Sequence, residues 1–126
     1  MDINPHLLTK TEHDLRIIFD TAYGRGIGYW MSGAIDVSKQ YSVEWTIDDQ
    51  WTAGQNLFST DERTYRISIH DQSNHIQGRI IKYQDTDVLE IGKTTIMLGD
   101  IDQGYDNQWV EIIVPAIRLK LYDCNY

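Results

Sequence analysis

The residues densest in potential chemistry run from Asp100 to Glu111, Asp-Ile-Asp-Gln-Gly-Tyr-Asp-Asn-Gln-Trp-Val-Glu. The acids Asp100, Asp102, Asp106 and Glu111 occupy positions 1, 3, 7 and 12 of a calcium loop. Such a loop also needs a flexible residue in its middle to bend the chain round the ion. Tyr105 stands there and Gly104 comes one place early, so the segment reads as a helix cap with solvated acids. The histidines are His6, His13, His70 and His75. None has the spacing of a zinc helix. His70 and His75 flank one turn around Asp71, which hairpin polarity explains without a metal. Nucleophilic catalysis has no foothold, because there is no Gly-x-Ser-x-Gly elbow. Gly24-Arg25-Gly26-Ile27-Gly28 has the look of a dinucleotide loop, but it follows a predicted helix and precedes a strand, the reverse of the order that cradles pyrophosphate. Asp85 and Asp87 read as turn residues. Cys124 is the single cysteine, which rules out an internal disulfide, and no activating partner stands near it in sequence. The expectation is no enzyme, no metal and no cofactor.

Aromatic residues are the other resource. Four Trp and eight Tyr outnumber two Phe. Trp and Tyr keep a polar edge and concentrate at binding surfaces. Tyr29 and Trp30 are adjacent in a predicted strand and so point to opposite faces, one to the core and one outward. Trp45 is core by alternation. Trp51, in a polar turn, is the best candidate for an exposed contact. Arg25, Tyr29, Trp30, Trp51 and Trp109 are therefore the candidate binding residues.

Charge narrows the partners. The chain has 126 residues and a net charge of -8. An acidic surface repels phosphate backbones, so direct nucleic-acid binding is disfavoured. The acids are spread along the chain rather than massed, which argues against imitation of DNA. Solubility is the simplest reading of the charge, with steering of a basic protein partner beside it. The length suits a single domain covering the whole chain. No basic region followed by an apolar run opens the chain, and no stretch approaches the roughly 20 apolar residues of a bilayer span. The expected location is the cytoplasm, which also suits a free thiol.

The elements that must position these residues read as α+β. Thr9-Lys10-Thr11-Glu12 has the form of a helix capping box, with Leu7 and Leu8 as a staple before it. Leu15, Ile17, Ile18 and Ala22 follow near helical spacing, and Gly24 and Gly26 close the pattern. A helix is predicted over residues 10–23. A strand from Ile27 and a half-buried strand, Tyr41, Val43, Trp45, Ile47, are predicted to form a hairpin joined near Val37 to Gln40. Further strands are expected at 65–70, 76–83 and 88–91, with a turn at Asp71 to Asn74. Thr94 to Leu98 is β-branched and apolar. Residues 107–121 fit either a helical face (Trp109, Ile112, Ile113, Ala116, Leu119) or a strand (Val110, Ile112, Val114, Ala116). The preferred reading is helix. The expected fold is an N-terminal helix packed on a mainly antiparallel sheet, with further helix near the C-terminus. Sheet edges in so small a domain make a homodimer an expectation.

The segment Phe19-Asp20-Thr21-Ala22-Tyr23-Gly24-Arg25-Gly26-Ile27-Gly28-Tyr29-Trp30 resembles a helix-to-strand motif of small accessory proteins of tailed bacteriophages. In those proteins Glu-Gly-Gly commonly precedes Ile-Asn-Tyr-Trp. Here Gly-Arg-Gly precedes Ile-Gly-Tyr-Trp, so the acid and the Asn are missing. Thr95-Ile96-Met97-Leu98-Gly99-Asp100-Ile101 is similar to the start of a later helix in them. The resemblance implies a phage or prophage origin and expression in a bacterial cytoplasm. Its implied function is binding and inhibition of a host protein, with a defence component as the expected target. The alternative is a binder that sequesters a nucleotide-like immune signal. That activity needs aromatic stacking plus cations, for which Arg16, Arg25, Arg63, Arg66, Arg79 and Lys82 are available.

Overall fold

The computed structural model describes residues 1–11, 14–101 and 104–125. It corrects the α+β expectation: the regular elements of the described residues are strands, with one 3-10 turn, Ala116–Arg118, as their helical element. Five strands close into a barrel: β1 (Asp2–Lys10), β2 (Leu15–Thr21), β3 (Gly24–Trp30), β4 (Tyr41–Ile47) and β11 (Leu119–Asp123). Around the barrel, β1 pairs β2, β2 pairs β3, β3 runs parallel to β11, β11 pairs β4, and β4 returns to β1. Between β4 and β11 the chain makes a second layer from β5 (Leu57–Ser59), β6 (Arg66–His70), β7 (Ser73–Tyr83), β8 (Thr86–Ile91), β9 (Thr94–Gly99) and β10 (Trp109–Pro115). We call residues 48–118 the insertion. Its axis is β7, flanked by β10 on one side and by β6 then β8 on the other.

The predicted N-terminal helix at 10–23 is instead the end of β1, a turn, and β2. The capping signal belongs to that turn. Thr11 Oγ1 accepts from the Asp14 N–H at 3.1 Å, and the Thr11 N–H donates to the Asp14 carbonyl at 2.8 Å. Thr and Asp bond nearby backbone equally well in hairpin turns and at helix starts, so the motif alone does not separate them. Glu12, the other half of the supposed box, and His13 lie outside the described residues. The deciding signal is period two: Ile17 and Phe19 are fully buried while Arg16, Ile18 and Asp20 between them are not. The β-branched Ile pair also favours a strand.

The C-terminal helix fails for the same reason. Val110, Ile112 and Val114 are fully buried and alternate along β10. Pro115 takes the last place in that strand, where its missing N–H interrupts little of the ladder. The hairpin expected between β3 and β4 is also absent among the described residues, because β11 stands between those strands. The strands expected at 41–47, 65–70, 76–83 and 88–91 lie at β4, β6, β7 and β8 within a few residues. Two tight turns keep β6, β7 and β8 in register. Asp71 and Gln72, then Gln84 and Asp85, all take positive φ, the pattern whose twist matches a two-residue hairpin.

A continuous apolar core joins the two layers. Inside the barrel lie Ile3, Ile17, Phe19, Trp30, Val43, Trp45, Leu119 and Leu121; in the insertion Leu57, Ile67, Ile76, Ile80, Leu89 and Ile112 continue it. Each such side chain contributes about 1.5–3 kcal/mol relative to exposure. Phe19 meets Trp45 edge-on at 5.5 Å, and Trp30 meets Tyr41 at 5.0 Å. Asn74 of β7, fully buried, fastens the layers together. Its Oδ1 accepts from the Ile27 N–H at 2.8 Å, and its Nδ2 donates to the carbonyls of Ile27 (2.7 Å) and Val114 (3.1 Å). The side-chain amide thus stands in for a strand residue along the stretch of β3 between its pairings with β6 and β11.

A candidate binding site at the barrel wall

Strand alternation sets the site. Arg16 of β2, Tyr29 of β3 and Lys120 of β11 are direct cross-strand partners, so the phenol stands in a row between two cations on the outer wall. The Arg16 guanidinium is braced by a 2.9 Å bond to Oε1 of Gln72, in the β6–β7 turn. Two clefts adjoin this row and share Asp14, Tyr29 and Met31. The larger, about 540 Å³, opens between the β1–β2 turn (Lys10, Thr11) and the chain leaving β3 (Gly33, Ala34), with Leu15 and Trp30 also in its lining. The smaller, about 170 Å³, adds Ile117 and Lys120. Apolar side chains stand open here: Ile117 is 67% exposed and Met31 44%. Tyr122, two residues along β11 from Lys120 and so on the same face, is also exposed.

The candidates named from sequence scatter. Tyr29 and Trp30 come together at this site. Tyr29 is the outward residue of the pair and Trp30 the inward one, buried in the barrel. The Trp30 and Trp45 indole N–H groups flank Leu121 in one interior row and have no acceptor among the described residues. Arg25 sits further up the same strand, spent on Asp20: its Nε donates to the carboxylate at 2.8 Å. That bond holds the Asp20 carboxyl below the usual range. Trp51 is half-buried rather than the exposed contact expected, and its indole N–H donates to the Leu98 carbonyl at 2.8 Å. It fastens the chain after β4 onto β9. Trp109 lies on the outer face of the insertion, its ring 4.9 Å from Tyr65, and lines a separate groove of about 300 Å³ with Asp61, Arg63 and Asn107. That groove joins a Trp to one arginine.

Sequence reasoning missed Lys10, Asp14, Met31, Ile117 and Lys120 as site residues. Arg16 was recognised only as an available cation. For Arg16 and Lys120 the signal is the alternation of β2 and β11, which a helical reading of both segments conceals. The calcium-like stretch dissolves: Glu111 belongs to β10 and bonds Nδ1 of His75 across to β7, and Asp102 lies outside the described residues. Among the described residues no three His, Cys, Asp or Glu groups gather as a metal site, and His70 and His75 stay an edge-on pair of rings at 5.8 Å. No described helix is long and apolar enough to cross a membrane.

Fold and site together define a closed five-stranded β-barrel with a six-stranded insertion and an aromatic–cationic wall. No protein-family model, curated protein or solved structure matches the chain.

Proposed function

We propose that this chain is a binding protein that engages and inhibits a host protein, in the manner of phage accessory proteins acting in a bacterial cytoplasm, with a defence component as the target. The observation that carries the reading is the open apolar surface of Met31, Ile117 and Tyr122 around Tyr29, flanked by charged side chains. An aromatic anchor with apolar neighbours and a polar rim is the composition of an interface hot spot. The strand order, with its third and fifth barrel strands parallel, is also that of the OB-type barrel. Such barrels bind through their second and third strands and the loops after the first and fourth. Lys10 and Asp14 flank the first of those loops, Tyr29 is on the third strand, and Ile117 ends the connection after the fourth. The likeness in connectivity supports the place of the site and not the identity of the ligand.

A second reading, sequestration of a nucleotide-like signal, draws support from the row Arg16–Tyr29–Lys120, which sets a stacking ring between two phosphate-competent cations. One experiment separates the two. A photo-crosslinking amino acid is placed at Ile117, or at Phe58 on the far β5 strand as a control, and the protein is expressed in bacteria. A host protein crosslinked from position 117, not from 58, and lost on Tyr29→Ala is the expected result. No position-specific crosslink, together with a mass increment in native mass spectrometry on adding nucleotide second messengers, transfers the function to the second reading.

A further inference from the structure

Charge is divided unevenly between the layers. Residues 48–118 hold twelve of the nineteen acids and six of the eleven Lys and Arg, a net -6, which leaves -2 for the barrel residues. Half of the insertion's six cations are committed: Arg66 pairs Glu62, Arg79 pairs Glu90 and Lys82 pairs Asp87. At the barrel wall the balance reverses. Lys10, Arg16 and Lys120 surround Tyr29 and Met31 in or beside the two clefts, and Asp14 is the one described acid lining them. No carboxylate among the described residues pairs with Lys120.

We infer that the wall around Tyr29 receives an acidic segment of the partner protein, with carboxylates on Lys120, Arg16 and Lys10 and an apolar side chain between Tyr29, Met31 and Ile117. This rests on the protein-binding reading and fixes the sign of the contact, which net charge alone places on the basic side. The acidic insertion then acts as an orienting element. Its net negative charge disfavours docking of an acidic segment on the insertion, so like-charge repulsion suppresses wrong registers while the local cations capture the right one. Salt shields both effects, because these side chains are solvent-accessible.

The test is an amide NMR titration of the intact isotope-labelled protein with two capped hexapeptides, Glu-Glu-Leu-Phe-Glu-Glu and Lys-Lys-Leu-Phe-Lys-Lys. The expected result is that the acidic peptide shifts the amides of Lys10, Tyr29, Met31 and Lys120, and that 0.5 M salt reverses the shifts. Lys120→Glu weakens its binding by about tenfold or more, the size of one lost charge-assisted contact. Because Lys120 is on a barrel strand, Lys10→Glu, near the tip of the β1–β2 hairpin, serves as a second variant should the first unfold. If the basic peptide shifts these amides instead, the acidic assignment is overturned while protein recognition at the wall stands. If the acidic peptide shifts only other amides, or none, the assignment is likewise overturned, and the crosslink from Ile117 still decides the broader reading.

Discussion

The barrel and the insertion handle exposed strand edges in opposite ways. The barrel removes them by closure, each of its strands pairing on both sides. The insertion keeps edges and protects them. Its β5 has three residues, and β9 is covered at Leu98 by the Trp51 indole. Their outer faces differ to match. On the insertion, neighbouring side chains satisfy one another: Tyr65 donates to Glu90 at 2.6 Å, Arg79 reaches the same carboxylate, and Gln77 donates to the Thr64 carbonyl. Among the described ion pairs, Asp20–Arg25 alone lies wholly on the barrel. A face whose polar groups are already paired offers a partner little. A closed ladder with a packed interior needs few side-chain contacts on its outside to hold its strands, so its outer wall is left available for a partner.

The most severe test of that division is to cut its fastening. Asn74→Ala removes three hydrogen bonds and leaves the buried Ile27 N–H and Ile27 carbonyl without that partner, while Val114 keeps its ladder pairing with the backbone of residue 74. Each orphaned group costs about 1–3 kcal/mol, with some relief from relaxation, so a loss of about 3–5 kcal/mol is expected in denaturant unfolding. If the layers are one cooperative unit, tryptophan fluorescence and far-UV circular dichroism fall together at a lower midpoint. If the two probes separate, the insertion unfolds from a surviving barrel and the layers are thermodynamically distinct. A loss under about 1 kcal/mol means Asn74 is no fastening at all.

Asn74 also marks where sequence reading stops. The strands of the middle third were legible because alternation there is clean, as in Tyr41, Val43, Trp45 and Ile47. The two terminal strand regions were not. Thr9-Lys10-Thr11-Glu12 offered a helix start with the same residue types that close a hairpin, and local hydrogen-bonding chemistry does not distinguish them. At 107–121 two periods overlap, and what settles the matter is non-local: β10 is captured between β7 and β5, and β11 closes the barrel. The site shares this fate. Arg16 and Lys120 lie 104 residues apart and meet only because both pair with Tyr29. Tyr29 itself was legible as one half of an inward–outward pair. Trp51 misled because a polar sequence around an indole does not reveal that its N–H is already bonded to Leu98.

A subtler probe addresses the insertion's self-satisfied face. The Tyr65 hydroxyl donates to Glu90, and that bond, together with some burial, raises the phenol above its ordinary value of 10.0. Tyr65→Phe deletes the donor while Arg79 still holds the carboxylate, so the expected cost at neutral pH is about 1–2 kcal/mol. The sign of the pH dependence follows from the raised folded value. The contribution is complete below the unfolded phenol's pKa and is lost as pH rises through the folded one. Urea melts of the two proteins should differ at pH 7 and converge in strong alkali. An unchanged gap at high pH would mean that the loss does not come from the Glu90 hydrogen bond.

The smallest effect belongs to the barrel's own ion pair, and it shows how little the outer wall depends on side-chain contacts. Asp20 faces Arg25 across β2 and β3, exposed on both sides, with its carboxyl held low first by the Arg25 hydrogen bond and then by the charges of Arg25 and His6. A depressed carboxyl adds stability above its unfolded value of 3.8, and this is lost as pH falls through the lower folded value. Exposed pairs are screened and held at an entropic cost, so Asp20→Asn should leave the neutral-pH midpoint within the error of a denaturant melt. Its signature is confined to acid: below pH 4 the variant loses stability less steeply than the parent. A large loss at neutral pH would mean that the wall is held by its side chains after all. In that case Arg16 and Lys120 would be structural as well, and charge reversal at Lys120 would report on folding instead of recognition.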